Sequence, residues 1–132
     1  MKILHIEDNL EIQTTITLLF KVIMPDADIF TTASGSEGIE VARCSQPDII
    51  LLDLGLPDIH GYEVIRLVRE FSRTPIIVMT ACHDEVVKTT CLQLGADDFI
   101  GKPFKYQEVV ASINRVMQNK PERRNAEPLK VI

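Results

Sequence analysis

The sequence is short of cysteine, of positive charge and of long apolar runs. Its three cysteines, Cys44, Cys82 and Cys91, are odd in number and form no C-x-x-C pair. Neither a disulfide framework nor a zinc site is indicated, and reduced, buried thiols acting as small apolar residues are expected. No apolar segment follows a basic start, and no run approaches the ~20 residues of a membrane span. No membrane contact and a cytoplasmic location are therefore expected. Basic residues number 14 against 19 acidic, a formal net charge of −5. Four of the basic and two of the acidic residues lie in 118–132, so residues 1–117 carry −7. An acidic body is a poor nucleic-acid surface by itself and suits a divalent cation or a basic partner better. Tryptophan is absent, as are internal repeats and low-complexity tracts.

What remains is one domain's worth of ordinary globular chain: 132 residues, 45% apolar and 25% charged. That length supports a core without metals or disulfides. The chain is organised around residues 47–61, P-D-I-I-L-L-D-L-G-L-P-D-I-H-G. Ile49 to Leu52 run straight into Asp53, and the turn formers Gly55, Pro57 and Gly61 follow. A continuous apolar run bounded by turn signals reads as a strand buried on both faces of a parallel sheet. Asp53 then stands where the strand leaves the core, at the sheet edge where open α/β sheets bind ligands.

Strands and helices alternate along the chain. Lys2 to Ile6 is a first strand, ending in Glu7-Asp8. From Asn9 the apolar residues Ile12, Ile16, Leu19 and Ile23 fall on one helical face, capped by Asp8 or Asn9 and stopped by Pro25. Ala27 to Thr31 is a more polar second strand, with Asp28 marking it as an edge. Ser34 to Glu37 has the S-x-x-E form of a capping box, opening a second helix that carries Ile39 and Ala42. The third strand is Ile49 to Asp53. Val64, Leu67, Val68 and Phe71 mark a third helix, and Ile76 to Met79 a fourth strand ending at Thr80. Val87, Cys91 and Leu94 give a fourth helix closed by Gly95. Asp98 to Ile100 is a fifth strand, followed by Lys102-Pro103. Val109, Ile113 and Val116 form the face of a fifth helix that lacks a good cap. Five alternating strand–helix units predict an α/β fold, a doubly wound five-stranded parallel sheet. Residues 1–117 form this domain. Residues 118–132, polar with two prolines, read as a linker or tail, expected to lead to an output domain.

In a sheet of order 2-1-3-4-5, strands one and three are neighbours and the topological switch lies between them. Glu7, Asp8 and Asp53 would then converge in one crevice, where like charges repel unless a cation joins them. Oxygen ligands of this kind suit Mg²⁺, which also accepts phosphate as a ligand. Thr80 and Lys102, at the ends of flanking strands, offer the hydroxyl and the charge that a phosphoryl group needs. Asp53 could serve as the nucleophile that accepts it.

Four segments carry a resemblance: I-E-D at 6–8, D-I-I-L-L-D-L-x-L-P-D-x-x-G at 48–61, Thr-Ala at 80–81, and L-G-A-D-D-F-I-G-K-P-F at 94–104. Together they closely resemble the receiver domain of two-component response regulators, a flavodoxin-like, CheY-like (βα)5 fold. The resemblance implies a phosphorylation-activated switch that promotes only its own phosphorylation and dephosphorylation, and so is no enzyme in the usual sense. Asp53 is similar to the phosphoacceptor charged by a partner kinase's phosphohistidine. Glu7 and Asp8 resemble the acidic pair that binds Mg²⁺ with Asp53 and the backbone carbonyl of Gly55. Thr80 resembles the switch hydroxyl and Phe99 the switch aromatic, often Tyr. Lys102 resembles the phosphate-bridging lysine, with a cis bond to Pro103. Implied partners are a sensor histidine kinase or phosphotransfer protein, with no direct nucleic-acid binding by this domain. A homodimer through the fourth helix, fifth strand and fifth helix is left open, although Ser112 stands where winged-helix regulators often carry an arginine for that contact.

Blander readings accompany these. A phosphatase of the haloacid-dehalogenase type would want a second acid two residues after Asp53, where Gly55 stands. A flavin binder on this fold would be repelled by Glu7-Asp8, and a phosphate-independent interaction module would not need all five site positions filled. Phe99 reads equally as core, His5 as packing, and His60 and His83 as loop residues near the site. Asp97-Asp98 reads as a solvated edge or as part of an ion-pair interface. Gly55 and Cys82, two residues after Asp53 and Thr80, offer no polar group to orient an attacking water, which predicts a slowly hydrolysed phosphoryl group.

Overall fold

Five apolar runs pair side by side into one parallel sheet. The structure, a computed structural model, describes residues 1–119. Of the segment read as a tail, Gln118 and Asn119 continue the last helix, and 120–132 lie outside the described residues. The strands are β1 (Lys2–Ile6), β2 (Asp28–Thr32), β3 (Ile49–Leu52), β4 (Ile76–Thr80) and β5 (Asp98–Gly101), ordered β2-β1-β3-β4-β5. The helices α1 (Leu10–Ile23), α2 (Gly35–Ser45), α3 (Gly61–Arg69), α4 (Glu85–Leu94) and α5 (Tyr106–Asn119) alternate with them. This is the doubly wound, CheY-like order expected from the sequence. No described helix is long and apolar enough to cross a membrane.

The central strand β3 shows why both faces of the sheet are covered. Ile49 and Leu51 join one apolar cluster with Ile16 and Phe20 of α1 and Val109, Ile113 and Val116 of α5. Ile50 and Leu52 join the other, with α2 (Ile39, Ala42), α3 (Val64, Ile65, Val68) and α4 (Cys91). All four residues of β3 are buried, which strict alternation with solvent on one side would not allow. β2 lies at the sheet edge and is mostly exposed, in keeping with its polar sequence.

Helix starts follow local chemistry. Asn9 caps α1 by accepting from Ile12 N–H, and Ser34 caps α2 by accepting from Glu37 N–H. His60 Nδ1 does the same for α3, accepting from Tyr62 N–H at 3.0 Å, and Asp84 for α4. The start of α5 is closed from inside: Glu108 reaches back to accept from Lys105 N–H at 3.1 Å. Gly95 ends α4 at φ 119°, a left-handed conformation suited to glycine.

Three expectations need correction. The face read through Phe71 ends early. Glu70 and Phe71 N–H bond to Leu67 and Val68 carbonyls, tightening the last turn, so α3 stops at Arg69. Phe71 lies beyond the helix, 38% exposed, under the Arg43 guanidinium at 4.7 Å. The third strand stops at Leu52 rather than Asp53. Only Cys91 is a buried thiol; Cys44 sits on the solvent side of α2 and Cys82 in the loop after β4. Burial, aided by Cys82 nearby, pushes the Cys91 thiol up to about 11. Of the two readings left open for Asp97-Asp98, the structure favours ion pairing over a solvated edge, with partners within the chain. Asp97 accepts from Ile76 N–H at 2.9 Å and pairs with Arg69 at 3.0 Å. Asp98 accepts from the buried Ser112 hydroxyl at 2.6 Å and pairs with Arg115.

His5 is packing, as its place in β1 suggests, but it is a costly packing residue. It is 1% exposed between Thr31 of β2 and Leu51 of β3, and its Nδ1 has no partner among the described residues. Burial first, and the Lys102 charge second, lower its pKa to about 4. Above the unfolded value of about 6.5 the imidazole is neutral in both states and stability does not depend on it. Between there and about 4 the unfolded chain takes a proton that the folded chain refuses, so stability falls as pH falls. The expected loss on going from pH 7 to pH 5 is about 2 kcal/mol. Urea unfolding at both pH values should show this loss in the wild type and a smaller one in His5→Leu; equal losses would overturn the assignment.

Candidate functional site

The site is built where the strand ladders run out. Ile6 and Leu52 are in register on β1 and β3, and the ladder continues one step further through Asp53 N–H to the Ile6 carbonyl at 2.9 Å. Glu7 N–H donates to the Thr32 carbonyl at 2.9 Å on the other side of β1. Glu7 and Asp53 therefore leave the sheet side by side, on backbone fixed by hydrogen bonds. Across β4, Lys102 N–H donates to the Thr80 carbonyl at 2.7 Å, which sets Lys102 at the end of β5.

Oxygens of Glu7, Asp8 and Asp53 all lie within 4.8 Å of one another. Glu7 is 1% exposed and Asp53 8%. The Lys102 ammonium reaches in from β5, 2.5 Å from Glu7 Oε1 and 3.3 Å from Asp53 Oδ1. One positive charge thus faces three negative ones. Burial raises the Glu7 pKa, the Lys102 hydrogen bond opposes that shift, and the Asp53 charge adds to it. Asn9 N–H donates to Glu7 Oε2 at 3.3 Å, and the Gln13 amide donates to the Glu7 carbonyl, which ties α1 to the site.

The other residues singled out in the sequence stand around this cluster. Thr80 is 5% exposed, and its hydroxyl accepts from Cys82 N–H at 3.3 Å. Gly55 is exposed beside Asp53: a side-chain carbon at that position would stand 3.7 Å from Asp53 Oδ2. Phe99 is half-buried against the α2–α4 cluster, in register with Val78, two residues before Thr80 on the same face. The Lys102–Pro103 peptide is cis. An apolar cavity of about 460 Å³, lined by Ile12, Thr15, Ala81, Lys102, Pro103 and Phe104, opens next to Lys102.

Two residues take structural roles here that the sequence did not reveal. The Asp58 carboxylate accepts from Gly35 N–H and Ser36 N–H at 2.8 Å each and from Ser36 Oγ at 2.6 Å. These bonds hold its carboxyl well below the usual range and pin the loop after Asp53 to the start of α2. Ser34 already explained that helix start, so nothing called for a second cap from another loop. His83 Nε2 bonds the Lys102 carbonyl at 2.9 Å. Its partner is nineteen positions away on the next loop, beyond the reach of local sequence patterns.

A family model described as "Response regulator receiver domain" matches residues 3–114. The chain is 39% identical over 119 residues to the cell cycle response regulator CtrA of Brucella ovis, covering 89% of this chain and 50% of that protein. It therefore spans about half the length of the curated relatives it matches. Among solved structures, the receiver domain of a sensor histidine kinase from Pseudomonas aeruginosa, with a magnesium ion coordinated in its active site cleft, is 32% identical with a TM-score of 0.78. That match covers 86% of this chain and 94% of the other. The BeF3-activated N-terminal receiver domain of RstA from Klebsiella pneumoniae is 28% identical with a TM-score of 0.82, covering 91% and 100%. With the sheet order, the strand-end cluster and these relatives in agreement, the chain belongs to the response regulator receiver domains of two-component systems.

Proposed function

We propose that Asp53 accepts a phosphoryl group from a phosphohistidine on a sensor histidine kinase or phosphotransfer protein. A carboxylate oxygen of Asp53 bonds to phosphorus while the phosphorus–nitrogen bond breaks. The histidine leaves with that electron pair, and an acyl phosphate remains on Asp53. The observation that carries this reading is the placement of the Asp53 carboxylate. It is nearly buried, fixed where β3 ends, 3.3 Å from the Lys102 ammonium and within 4.8 Å of Glu7 and Asp8 oxygens.

The donor set fits Mg²⁺: hard carboxylate oxygens within 4.8 Å of one another, one of them on the buried Glu7, with only one ammonium against three negative charges. Glu7, Asp8, Asp53 and the Gly55 carbonyl would hold it. When bound, the ion supplies neutralisation of the charge that develops on the transferring group. Lys102 holds one phosphoryl oxygen by charge, and the Thr80 hydroxyl another by hydrogen bonding. As Thr80 moves, Phe99 turns inward behind it, and the face formed by α4, β5 and α5 changes for whatever partner reads it. Asp98 on that face is already bonded to Ser112 and Arg115 within the chain, which supports a face read by a partner more than a dimer built on that acid. The apolar cavity beside Lys102 gives the incoming donor protein a dry edge against the site.

Titration calorimetry with beryllofluoride and Mg²⁺ tests the site. Binding is expected in the wild type, lost when Mg²⁺ is withheld and lost in Asp53→Ala; binding that survives Asp53→Ala would sink the proposal. Hydrolysis offers a second test. Gly55 and Cys82 leave no polar side chain to orient water, so the phosphorylated domain should release phosphate slowly. Gly55→Asn combined with Cys82→Glu should speed release on the order of tenfold to a hundredfold. Wild-type release complete within seconds would contradict this.

A further inference from the structure

The loop between β4 and α4 carries two hydrogen bonds that bear on the site. Cys82 N–H donates to Thr80 Oγ1 at 3.3 Å, and the His83 ring bonds the Lys102 carbonyl at 2.9 Å. A carbonyl oxygen only accepts, so Nε2 of His83 carries the proton and donates. This second bond joins the loop that follows Thr80 to the residue whose ammonium faces Asp53. Lys102 is a firm anchor. Its N–H is bonded to the Thr80 carbonyl at 2.7 Å, and its Nζ to Glu7 and Asp53.

Gly101 makes the contact sterically feasible. It pairs with Thr80 in the β4–β5 ladder. A Cβ at Gly101 would stand 2.5 Å from His83 Cε1 and 2.8 Å from Nδ1. Any side chain there displaces the imidazole. His83, in the loop after β4, and Gly101, at the end of β5, therefore constrain each other.

We propose that His83 is a positioning residue that holds the loop after β4 in its resting arrangement and so sets how readily the Thr80 hydroxyl reaches a phosphoryl group on Asp53. The proposal rests on the receiver reading above. In the resting arrangement Thr80 Oγ1 accepts from Cys82 N–H in the loop that follows it. Reaching toward a phosphoryl oxygen carries Oγ1 away from that N–H and draws the loop with it. The His83–Lys102 bond resists this movement, because Lys102 is fixed at both its backbone and its ammonium.

The test is calorimetric titration of the full chain with beryllofluoride in the presence of Mg²⁺. Wild type is compared with His83→Ala, His83→Gln, Gly101→Ala and the double variant. Loss of the restraint should tighten binding in His83→Ala by about fivefold, the effect of one net hydrogen bond. Gly101→Ala should tighten it alike by pushing the ring away. The double variant should be no tighter than either, because a methyl at 101 has nothing to displace once the ring is gone. In His83→Gln the side-chain amide replaces the Nε2 donor, and affinity should return to near the wild-type value. Unchanged or weaker binding in His83→Ala, or additive effects of the two substitutions, would overturn the proposal. If the wild type binds and His83→Ala matches it, only the role of His83 fails. If the wild type itself does not bind, the receiver reading fails and this one with it.

Discussion

Three carboxylates stand closer together than like charges tolerate without help, and the fold holds them there. The Glu7–Asp53 repulsion alone is worth roughly 3 kcal/mol at the effective dielectric of a partly buried site. It is borne by β1 and β3, whose ends are locked to each other by the Asp53 N–H bond to Ile6. Both strands are packed into the apolar clusters on both faces, so neither end can retreat to separate the charges. Lys102 arrives from β5 to offset part of the repulsion. The remainder is an unmet demand for positive charge, and that demand gives the crevice its chemistry.

Around the crevice, loops are tied individually rather than packed as a mass. Gln13 ties α1 to the Glu7 carbonyl, Asp58 ties the loop after β3 to α2, and His83 ties the loop after β4 to Lys102. The Gln13 tie is local, six residues long, whereas those of Asp58 and His83 join segments 23 and 19 residues apart. Apolar contacts fix the sheet and helices, and specific hydrogen bonds fix the loops. A site that changes shape needs such a division, because single bonds exchange partners where a packed core does not.

The sequence made the rigid part legible and the tied part much less so. Apolar runs such as Ile49 to Leu52 announced buried parallel strands, and their order placed Glu7, Asp8, Asp53, Thr80 and Lys102 at one sheet edge. Caps such as Ser34 were legible because their chemistry is local. Phe71 was misread because a four-residue spacing continues past a helix that the backbone has already closed. Cys44 and Cys82 were misread because cysteine's usual burial says nothing about a loop or the outer side of a helix. Asp58 and His83 were out of reach because their partners come from other loops. Ser112 was legible as a departure from its relatives but not as the hydroxyl that occupies Asp98 within the chain.

The length and direction of α5 set how an event at Asp53 can be felt elsewhere. The helix starts beside the site, after Lys102 and Pro103, and runs back along the sheet for 14 residues, about 21 Å. Its buried stripe of Val109, Ile113 and Val116 lies on the same apolar cluster as β3. Over the roughly 21 Å to the far end of that helix, about two Debye lengths, the direct pull of a charge at Asp53 is weakened by solvent. Under the switch proposed above, what arrives there is displacement: α5 acts as a rod resting on the sheet, carrying a chemical change at one pole to the other as a mechanical one.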